Sequence, residues 1–324
     1  MRICIFGAGA IGAYIGAELS LAGADVTLIA RGKHLKVMQD NGVTIKTEGE
    51  EIVARPRCIN DPKEAGVHDY VFITLKAHSS ASPYELINPL IGQETSVINA
   101  QNGLPWWYFY KLAGRWENYK IRSVDPDNLQ WNKITPERVI GTVVYPAAQI
   151  ISPGIIEMQP HISQKRLPIG EPNGSKSDRI IKLSKLLISA GFKSPIRSDI
   201  RSDIWMKLWG NLAFNPISAL TGATLEEICV NHETRALART MMLEGQAIGE
   251  RLGAKFNIDV DTRIEGAKSV GQHKTSMLQD LELGRPMETD PILGSVAEIG
   301  KLVGVPTPTI NIVYGLLKQR SSNV

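Results

Sequence analysis

Short apolar runs alternate with stretches of helical periodicity over the first 198 positions of the chain. The runs that predict buried strands are Arg2–Phe6, Asp25–Ala30, Tyr70–Leu75, Thr95–Ala100 and Arg138–Tyr145. Other patterns predict a hairpin of Val43–Lys46 with Glu51–Arg55, short strands near Gly154–Met158 and Arg166–Ile169, and helices over Ala10–Ala22 and Ser177–Ser189. Because apolar strands that alternate with helices are typical of βαβ units, this part is predicted to be a doubly wound α/β domain.

The pattern changes near Ser198, after which apolar residues recur at helical spacing and few strand signals remain. Amphipathic helices are predicted over Glu233–Leu252, Asp261–Leu283, Asp290–Val303 and Ile310–Lys318. We therefore expect an α/β domain over residues 1–198 and an all-helical domain over residues 199–324.

One aromatic-rich segment, residues 104–136, looks like an insertion after a strand. It carries Trp106, Trp107, Trp116 and Trp131, which are four of the six tryptophans in the chain. Aromatic side chains supply a large apolar area with a polar handle. The segment is interpreted either as a small satellite core or dimer surface, or as a wall of the substrate pocket.

The composition of the 324 residues excludes several classes of protein. Hydrophobic residues make up 43% and charged residues 21% of the chain, which is ordinary for a folded protein of about two domains. No apolar run approaches the ~18–20 residues of a membrane span, and the N-terminus leads directly into a strand rather than a signal peptide. Three cysteines without paired spacing argue against disulfides and a zinc site, and a net charge of +3 is too small to indicate nucleic acid. These features favour a cytoplasmic protein.

The residues Gly7, Ala8, Gly9, Ala10, Ile11 and Gly12 form a G-x-G-x-x-G motif directly after the first predicted strand. In such a motif the first glycine permits a tight turn, and the second lets a pyrophosphate approach the backbone. The third allows the helix and the strand to pack closely. The position of the motif between a strand and a helix predicts a Rossmann-type dinucleotide site.

The end of the second strand indicates which dinucleotide binds. An NAD site usually has an acidic residue there, which binds the ribose 2′-hydroxyl, but this strand ends in Arg31, Gly32 and Lys33. A guanidinium suits a 2′-phosphate through charge-assisted hydrogen bonds. We therefore predict NADP(H), with Arg31 as the main contact and Lys33 as a possible helper; the alternative is a solvated basic loop.

Two more predicted strands end in polar residues, Lys76 after Tyr70–Leu75 and Asn102 after Thr95–Ala100. Ligands of doubly wound sheets bind beyond the carboxyl ends of the strands, so both side chains are expected to face the ligand crevice. The alternative is that they are solvated loop residues. His78, a lone histidine in the first of these loops, is assigned no role.

Lys207, Asn211 and Asn215 recur at i, i+4 and i+8 among apolar neighbours, which places them on one face of a predicted helix. Asparagine is a poor helix former, so two of them in one helix favour a functional explanation over a merely solvated face. Glu288 and Asp290 follow a helix-breaking Gly-Arg-Pro sequence. Acidic residues suit the first turn of a helix, so their spacing alone does not make them catalytic.

These motifs resemble the ketopantoate reductase (2-dehydropantoate 2-reductase) family. The matching residues are Gly7–Gly12, Leu75-Lys76-Ala77, Gln101-Asn102-Gly103, Lys207, Asn211, Asn215-Pro216, Ser276–Asp280, Gly284-Arg285, Glu288 and Asp290. They span nearly the whole chain in the family's order. The resemblance implies a Rossmann domain followed by a helical domain, similar to 6-phosphogluconate-dehydrogenase-like proteins, with the active site between them.

The resemblance also implies roles for individual residues. Lys207 matches the lysine that polarises the 2-oxo group and donates a proton as hydride arrives from NADPH, and Glu288 matches the acid that binds the terminal hydroxyl of the substrate. The residues that match substrate ligands are Asn102, Asn211, Asn215 and Ser276, of which Asn102 also lies near the nicotinamide. Lys76 matches a lysine of the cofactor crevice. No metal is implied.

Two departures from the family pattern fall near the expected substrate site. His273 stands where the family often has a substrate-binding asparagine, and residues 104–136 are longer than the compact pattern. The leading hypothesis is an NADPH-dependent ketopantoate reductase of pantothenate and coenzyme A biosynthesis, and a homodimer is favoured. The alternatives are a reductase of a different 2-oxo acid, and a non-catalytic NADP(H) sensor, which would need neither Lys207 nor Glu288.

Overall fold

The computed structural model describes residues 1–77, 82–159 and 165–322, so His78 lies outside the described residues. By their internal contacts the residues form two compact units. The first consists of Met1–Gln101, Trp107–Lys120 and Asp127–Ile200, and the second of Asn102–Trp106, Ile121–Pro126 and Arg201–Val324. The residues of the aromatic segment are therefore divided between the two units.

The first unit contains all the strands of the described ranges. They are β1 (Arg2–Phe6), β2 (Asp25–Ile29), β3 (Val43–Thr47), β4 (Glu50–Ala54), β5 (Arg57–Ile59), β6 (Tyr70–Ile73), β7 (Ser96–Asn99), β8 (Val139–Thr142), β9 (Ala148–Ser152), β10 (Ile155–Met158) and β11 (Ile169–Gly170). Seven of them form one sheet in the order β11-β8-β7-β6-β1-β2-β5, and β4-β3-β10-β9 form a second. In the larger sheet all pairs are parallel except β11 with β8.

This strand order confirms the predicted Rossmann-type fold. β1 lies between β2 and β6, so the chain runs outwards from β1 in both directions. A ligand of such a sheet binds beyond the carboxyl ends of the strands, where the order reverses. The turn after β1 is therefore placed at the expected cofactor position.

Helices alternate with the strands in the first unit and make up most of the second unit. They are α1 (Ala10–Leu21), α2 (Gly32–Asn41), α3 (Ser82–Glu85), α4 (Leu129–Ile134), α5 (Asp178–Ser189), α6 (Ile200–Thr221), α7 (Leu225–Val230), α8 (His232–Arg251), α9 (Val260–Lys268), α10 (Ser276–Glu282), α11 (Ser295–Val303) and α12 (Pro308–Ser321). A π-helical turn, Asp290–Gly294, precedes α11. Within the described ranges, no helix is long and apolar enough to cross a lipid bilayer.

Helix α1 contacts strands of both sheets, which explains why its sequence lacks a polar face. Gly12, Ala13, Ile15, Gly16 and Ala17 are all buried. Small residues let a helix approach strands closely, and the isoleucine fills the remaining space. The close packing fixes the start of α1, and with it the glycine turn.

Helix α6 is anchored to α8 by large side chains that meet glycines. The Trp209 indole N–H donates to the Met242 carbonyl at 2.7 Å. A Cβ on Gly245 would lie 2.6 Å from a Leu212 methyl group, so a larger residue there would displace the Leu212 side chain. These contacts lie on one side of α6, and Lys207 projects from a different side.

The predicted single helix over Asp261–Leu283 is wrong, because the structure has two helices, α9 and α10, in its place. Gly271 between them has φ of +80°, which an L side chain rarely adopts. The Thr275 hydroxyl then accepts from the Leu278 N–H and caps a new helix. The predicted helix over Asp290–Val303 likewise begins as a π-helical turn rather than an α-helix. Helix α2 was not predicted, because Leu35 and Met38 alone give it a weak apolar face.

Part of the aromatic segment forms a satellite core on the first sheet. Trp107, Tyr108 and Phe109 are at most 1% exposed. The Trp107 ring lies against β8, where a Cβ on Gly141 would come within 2.7 Å of it. The rings of Tyr108 and Phe109 meet edge to face, with centroids 5.1 Å apart. The packing of these three residues therefore supports their interpretation as a satellite core.

Candidate active site

The glycine turn between β1 and α1 places its three glycines in different environments. Gly7 has φ of +108°, and a Cβ there would lie 2.9 Å from the Leu75 backbone nitrogen. A Cβ on Gly12 would lie 2.5 Å from both the Gly7 carbonyl oxygen and the Thr74 hydroxyl. No atom lies within 4 Å of a Cβ built on Gly9. The first and third glycines are therefore needed for the turn itself, while the second leaves open space.

That open space lies in front of the first turn of α1. Gly9 is the N-cap residue, no side chain caps the helix, and its first turn contains no acidic residue. The first N–H groups of a helix have no partner within the helix and carry partial positive charge. The turn therefore fits the diphosphate of a dinucleotide, which needs both room and hydrogen-bond donors.

Basic side chains follow the neighbouring strands. Arg31 is the N-cap residue of α2, two residues after the end of β2, and Arg31, Lys33 and Lys76 are all exposed. The side chains of Arg31 and Lys33 make no hydrogen bond or ion pair with any other described residue. The nearest acid of this strand, Asp25, stands at its opposite end. A cationic group without an acidic partner at this position suits a phosphate rather than a ribose hydroxyl.

Polar residues at the ends of β6 and β7 hold the glycine turn, although the sequence analysis assigned no individual role to Thr74 or Gln101. The Thr74 hydroxyl donates to the Gly7 carbonyl at 2.7 Å. The Gln101 amide donates to the Leu75 carbonyl at 2.8 Å and accepts from Asn99 at 2.6 Å. The available signal was the change from apolar to polar residues at the last positions of two buried strands.

Lys207, Asn211 and Asn215 lie on one face of α6, as their spacing predicted. Asn215 is 6% exposed, and the other two are partly buried. The large rings of Trp205 and Trp209 project from the other side and are fully buried. Packing of those rings orients α6 and thereby directs the polar face.

A hydrogen-bonded chain joins three of the predicted site residues. Lys207 Nζ donates to Asn102 Oδ1 at 2.9 Å, and Asn102 Nδ2 donates to Glu288 Oε2 at 3.0 Å. This amide orientation is the one that offers an acceptor to the ammonium and a donor to the carboxylate. Sequence reasoning identified all three residues, but it did not predict that Asn102 bridges the other two.

The surroundings change the acidity of Lys207. Burial lowers the pKa of its ammonium to about 8, because the charged form loses hydration. The carboxylate of Glu288, which is itself 5% exposed, acts in the opposite direction and favours the ammonium. At pH 7 the protonated form therefore exceeds the neutral amine by about tenfold. The pKa of the Lys207 ammonium therefore lies close to neutrality.

Four further predicted site residues carry side chains without a partner in the described part of the chain. No hydrogen bond joins the side chains of Asn211, Asn215, Ser276 or His273 to another residue there. Ser276 is exposed at the first position of α10, and the His273 carbonyl accepts from the Leu225 N–H. Burial lowers the pKa of His273, which keeps its imidazole neutral. Polar side chains that form no hydrogen bond with the rest of the protein are typical of a ligand site.

Asp290, which belongs to the same sequence motif as Glu288, has a structural role. Its carboxylate accepts from the Tyr314 hydroxyl at 2.5 Å and from Lys318 Nζ at 3.2 Å. Both partners lie on α12. Asp290 therefore ties the π-helical turn to the last helix, whereas Glu288 faces Asn102.

Two family models match most of the chain. The model described as ketopantoate reductase PanE/ApbA matches residues 3–106, and the model described as ketopantoate reductase PanE/ApbA C terminal matches residues 199–321. The first range contains the glycine turn, Arg31, Lys76 and Asn102. The second contains Lys207 and the remaining predicted substrate ligands.

Individual proteins are similar over their whole length. A 2-dehydropantoate 2-reductase of Mesorhizobium japonicum is 52% identical over 320 residues, which cover 98% of this chain and 97% of the relative. The crystal structure of a candidate ketopantoate reductase from Ralstonia solanacearum MolK2 is 38% identical, with a TM-score of 0.93 and coverage of 99% and 98%. A ternary structure of D-mandelate dehydrogenase with NADH and anilino(oxo)acetate has a TM-score of 0.84 at 21% identity, covering 100% of this chain and 99% of that one. At that identity the likeness shows the fold alone.

Proposed function

We propose that this chain, which belongs to the ketopantoate reductase family, reduces 2-dehydropantoate (ketopantoate) to (R)-pantoate with NADPH. It is an oxidoreductase that acts on CH–OH groups. The observation that carries the proposal is the hydrogen-bonded chain Lys207–Asn102–Glu288, in the unit that also holds four polar side chains without a partner among the described residues. The reaction is assigned to pantothenate and coenzyme A biosynthesis, while a cytoplasmic location and a homodimer stay predictions.

Lys207 acts as the acid of this reaction. Reduction of a ketone places negative charge on its oxygen, and a nearby ammonium stabilises that charge before donating a proton to it. Bound NADPH supplies the hydride that adds to C2 of the substrate. Lys207 Nζ gives its proton to the oxygen, which becomes the hydroxyl of the product, and the resulting amine then takes a proton from water. A pKa of about 8 makes both steps favourable near neutrality.

Glu288 is assigned to the distal hydroxyl of ketopantoate. A carboxylate can accept about four hydrogen bonds, so Glu288 can accept from Asn102 and from a substrate hydroxyl together. Asn211, Asn215, Ser276 and His273 are assigned to the carboxylate and oxo groups of the substrate. A neutral His273 can donate or accept a hydrogen bond without adding a charge.

NADP(H) is assigned to the first unit. The turn of Gly7–Gly12 would hold the diphosphate, and Arg31 with Lys33 would hold the 2′-phosphate. Lys76 is the remaining predicted cofactor contact in this unit. Open space at Gly9 and the unpaired guanidinium of Arg31 support this assignment.

The deciding experiment measures NADPH oxidation by its absorbance with ketopantoate, 2-oxoisovalerate, pyruvate and phenylglyoxylate. We expect ketopantoate to give the highest kcat/KM, because 2-oxoisovalerate lacks only the hydroxyl assigned to Glu288. A better substrate elsewhere in the panel would keep the mechanism and replace the substrate. If NADPH still binds but no acid is reduced, the result would contradict the proposed reductase activity and favour a non-catalytic NADP(H) sensor.

The role of Lys207 is tested by Lys207→Ala, with the exposed lysine variant Lys301→Ala as its control. Loss of the acid should lower kcat by about 100-fold or more. The dissociation constant of NADPH, measured by fluorescence titration, should stay within about twofold, since the cofactor contacts are unchanged. Near-normal turnover of Lys207→Ala would show that another group donates the proton.

A further inference from the structure

Asn102 can bridge Lys207 and Glu288 only if the backbone holds it in place, yet it lies in a bend rather than in a helix or strand. Two hydrogen bonds of 2.9 and 3.0 Å leave little room for displacement of its amide. A loop residue in such a position needs support from its neighbours. That support comes from the next residue in the chain.

Gly103 brings the loop into direct contact with the π-helical turn. It has φ of +87°, and a Cβ there would overlap the Pro291 carbonyl oxygen and lie 2.7 Å from the carbonyl carbon. Both of these are backbone atoms, which cannot rotate away as a side chain can. The adjacent Leu104 N–H donates to the same carbonyl oxygen at 3.3 Å. Glycine is therefore required here both by the backbone conformation and by the close approach.

The π-helical turn makes the Pro291 carbonyl available to this loop. In an α-helix the N–H of Ser295 would donate to the carbonyl four residues earlier, which is that of Pro291. Here the Ser295 N–H donates instead to the Asp290 carbonyl. The Ser295 hydroxyl, which is fully buried, donates to the Pro291 oxygen at 2.6 Å and orients it. One helical irregularity thus supplies an acceptor to the loop that carries Asn102.

We propose that Gly103 and Ser295 are positioning residues, which hold Asn102 between Lys207 and Glu288 through the Pro291 carbonyl. The effect on turnover rests on the proposed function, since it requires Lys207 to be the acid. The effect on the ammonium of Lys207 does not, because that ammonium loses the hydrogen bond to Asn102 whenever Asn102 moves.

The expected consequence has a defined direction. The Asn102 oxygen accepts from Lys207 and so favours its charged form. Displacement of Asn102 should therefore lower the pKa of Lys207 further below its value of about 8. An acid must be protonated to act, so the fall of kcat with rising pH should begin at a lower pH in the variants.

The test compares Gly103→Ala and Ser295→Ala with matched controls. Gly304→Ala introduces a Cβ at a similar φ, +74°, where no atom lies within 4 Å. Ser184→Ala removes a hydroxyl that, like that of Ser295, is buried on a helix and donates to a backbone carbonyl, here at 2.7 Å. Lys207 acylation is followed against pH by peptide mass spectrometry, and kcat is measured over the same pH range.

We expect Gly103→Ala to lower kcat at pH 8 by about tenfold or more and Ser295→Ala by about two- to fivefold, with NADPH affinity kept. Both variants should shift the acylation profile of Lys207 to lower pH, and neither control should. Ser295→Ala only removes a hydroxyl and adds no atom near the backbone. Its result alone therefore tests the proposal if Gly103→Ala does not fold. An unchanged acylation profile in folded Ser295→Ala would overturn the proposal.

A double-mutant cycle separates positioning from a general structural effect. If Gly103 and Ser295 act through Asn102, adding either substitution to Asn102→Ala should change kcat and the acylation profile by less than about twofold. Fully additive effects would overturn the proposal. A shifted acylation profile in a protein that reduces no 2-oxo acid would contradict the proposed function and leave the positioning intact.

Discussion

At the scale of single residues, environment rather than residue type makes Lys207 suitable as an acid. A free lysine titrates near 10.4 and would hold its proton too tightly to release it readily at neutral pH. Burial lowers the pKa of Lys207 to about 8, while the Glu288 carboxylate and the hydrogen bond to Asn102 favour the ammonium. The residue type was readable from the chain, but its acidity depends on these neighbours.

Glu288→Gln tests the residue assigned to the substrate hydroxyl. An amide oxygen is a weaker acceptor than a carboxylate, so KM for ketopantoate should rise by about tenfold. KM for 2-oxoisovalerate, which lacks the hydroxyl, should change by less than about threefold. Steady-state kinetics with both acids measures this, with the exposed Glu233→Gln as control. An equal rise for both acids would show that Glu288 does not recognise the hydroxyl.

At the scale of elements, the sequence predicted strands and amphipathic helices better than the ends of helices. β1 and β2 fall where their apolar patterns place them, because those patterns reflect burial directly. The β3–β4 hairpin also forms where it was predicted, although β4 is exposed at four of its five positions. The break between α9 and α10 was missed, since Gly271 and the cap at Thr275 interrupt an otherwise continuous helical pattern. The π-helical turn before α11 leaves no signal in the apolar spacing at all.

Arg31→Ala tests whether Arg31, at the N-terminus of α2, distinguishes NADPH from NADH. Loss of a charge-assisted contact to a 2′-phosphate should weaken NADPH binding by about 10- to 100-fold. NADH, which lacks that phosphate, should lose less than about threefold. Fluorescence titration of both dinucleotides measures the effect, and Lys36→Ala on the same helix is the control, since Lys36 is already paired with Asp40. Equal losses for the two cofactors would remove Arg31 from the 2′-phosphate site.

At the scale of the whole molecule, buried histidines make stability depend on pH. Burial lowers the pKa values of His34, His68 and His273, so the folded chain resists their protonation. His68 is 3% exposed, and its ring nitrogens face the Gly66 carbonyl at 2.8 Å and the Thr27 hydroxyl at 3.4 Å. A neutral ring can donate to the first and accept from the second, whereas a protonated ring cannot accept.

The unfolded chain takes up these protons as the pH falls below about 6.5, while the folded chain does not. The free energy of unfolding should therefore be highest above that pH and should fall towards pH 5. His68 contributes at most about 1.4 kcal/mol per pH unit to this loss. Urea unfolding at pH 7.5 and 5.5 measures it, and His68→Gln should reduce the pH dependence while His232→Gln, an exposed control, should not. The same pH dependence in both variants would contradict the role of His68.

The fold class, the dinucleotide turn and the polar face of α6 could all be predicted from the order of residues along the chain. Each of these follows from short-range geometry, because the periods of strands and helices and the freedom of glycine act over a few residues. The bridge from Lys207 through Asn102 to Glu288 could not be predicted, because it joins residues that lie 105 and 186 positions apart in the chain. The same holds for the pKa of Lys207 and for the contact of Gly103 with Pro291. Burial and hydrogen bonding between distant residues depend on packing, which no local pattern encodes.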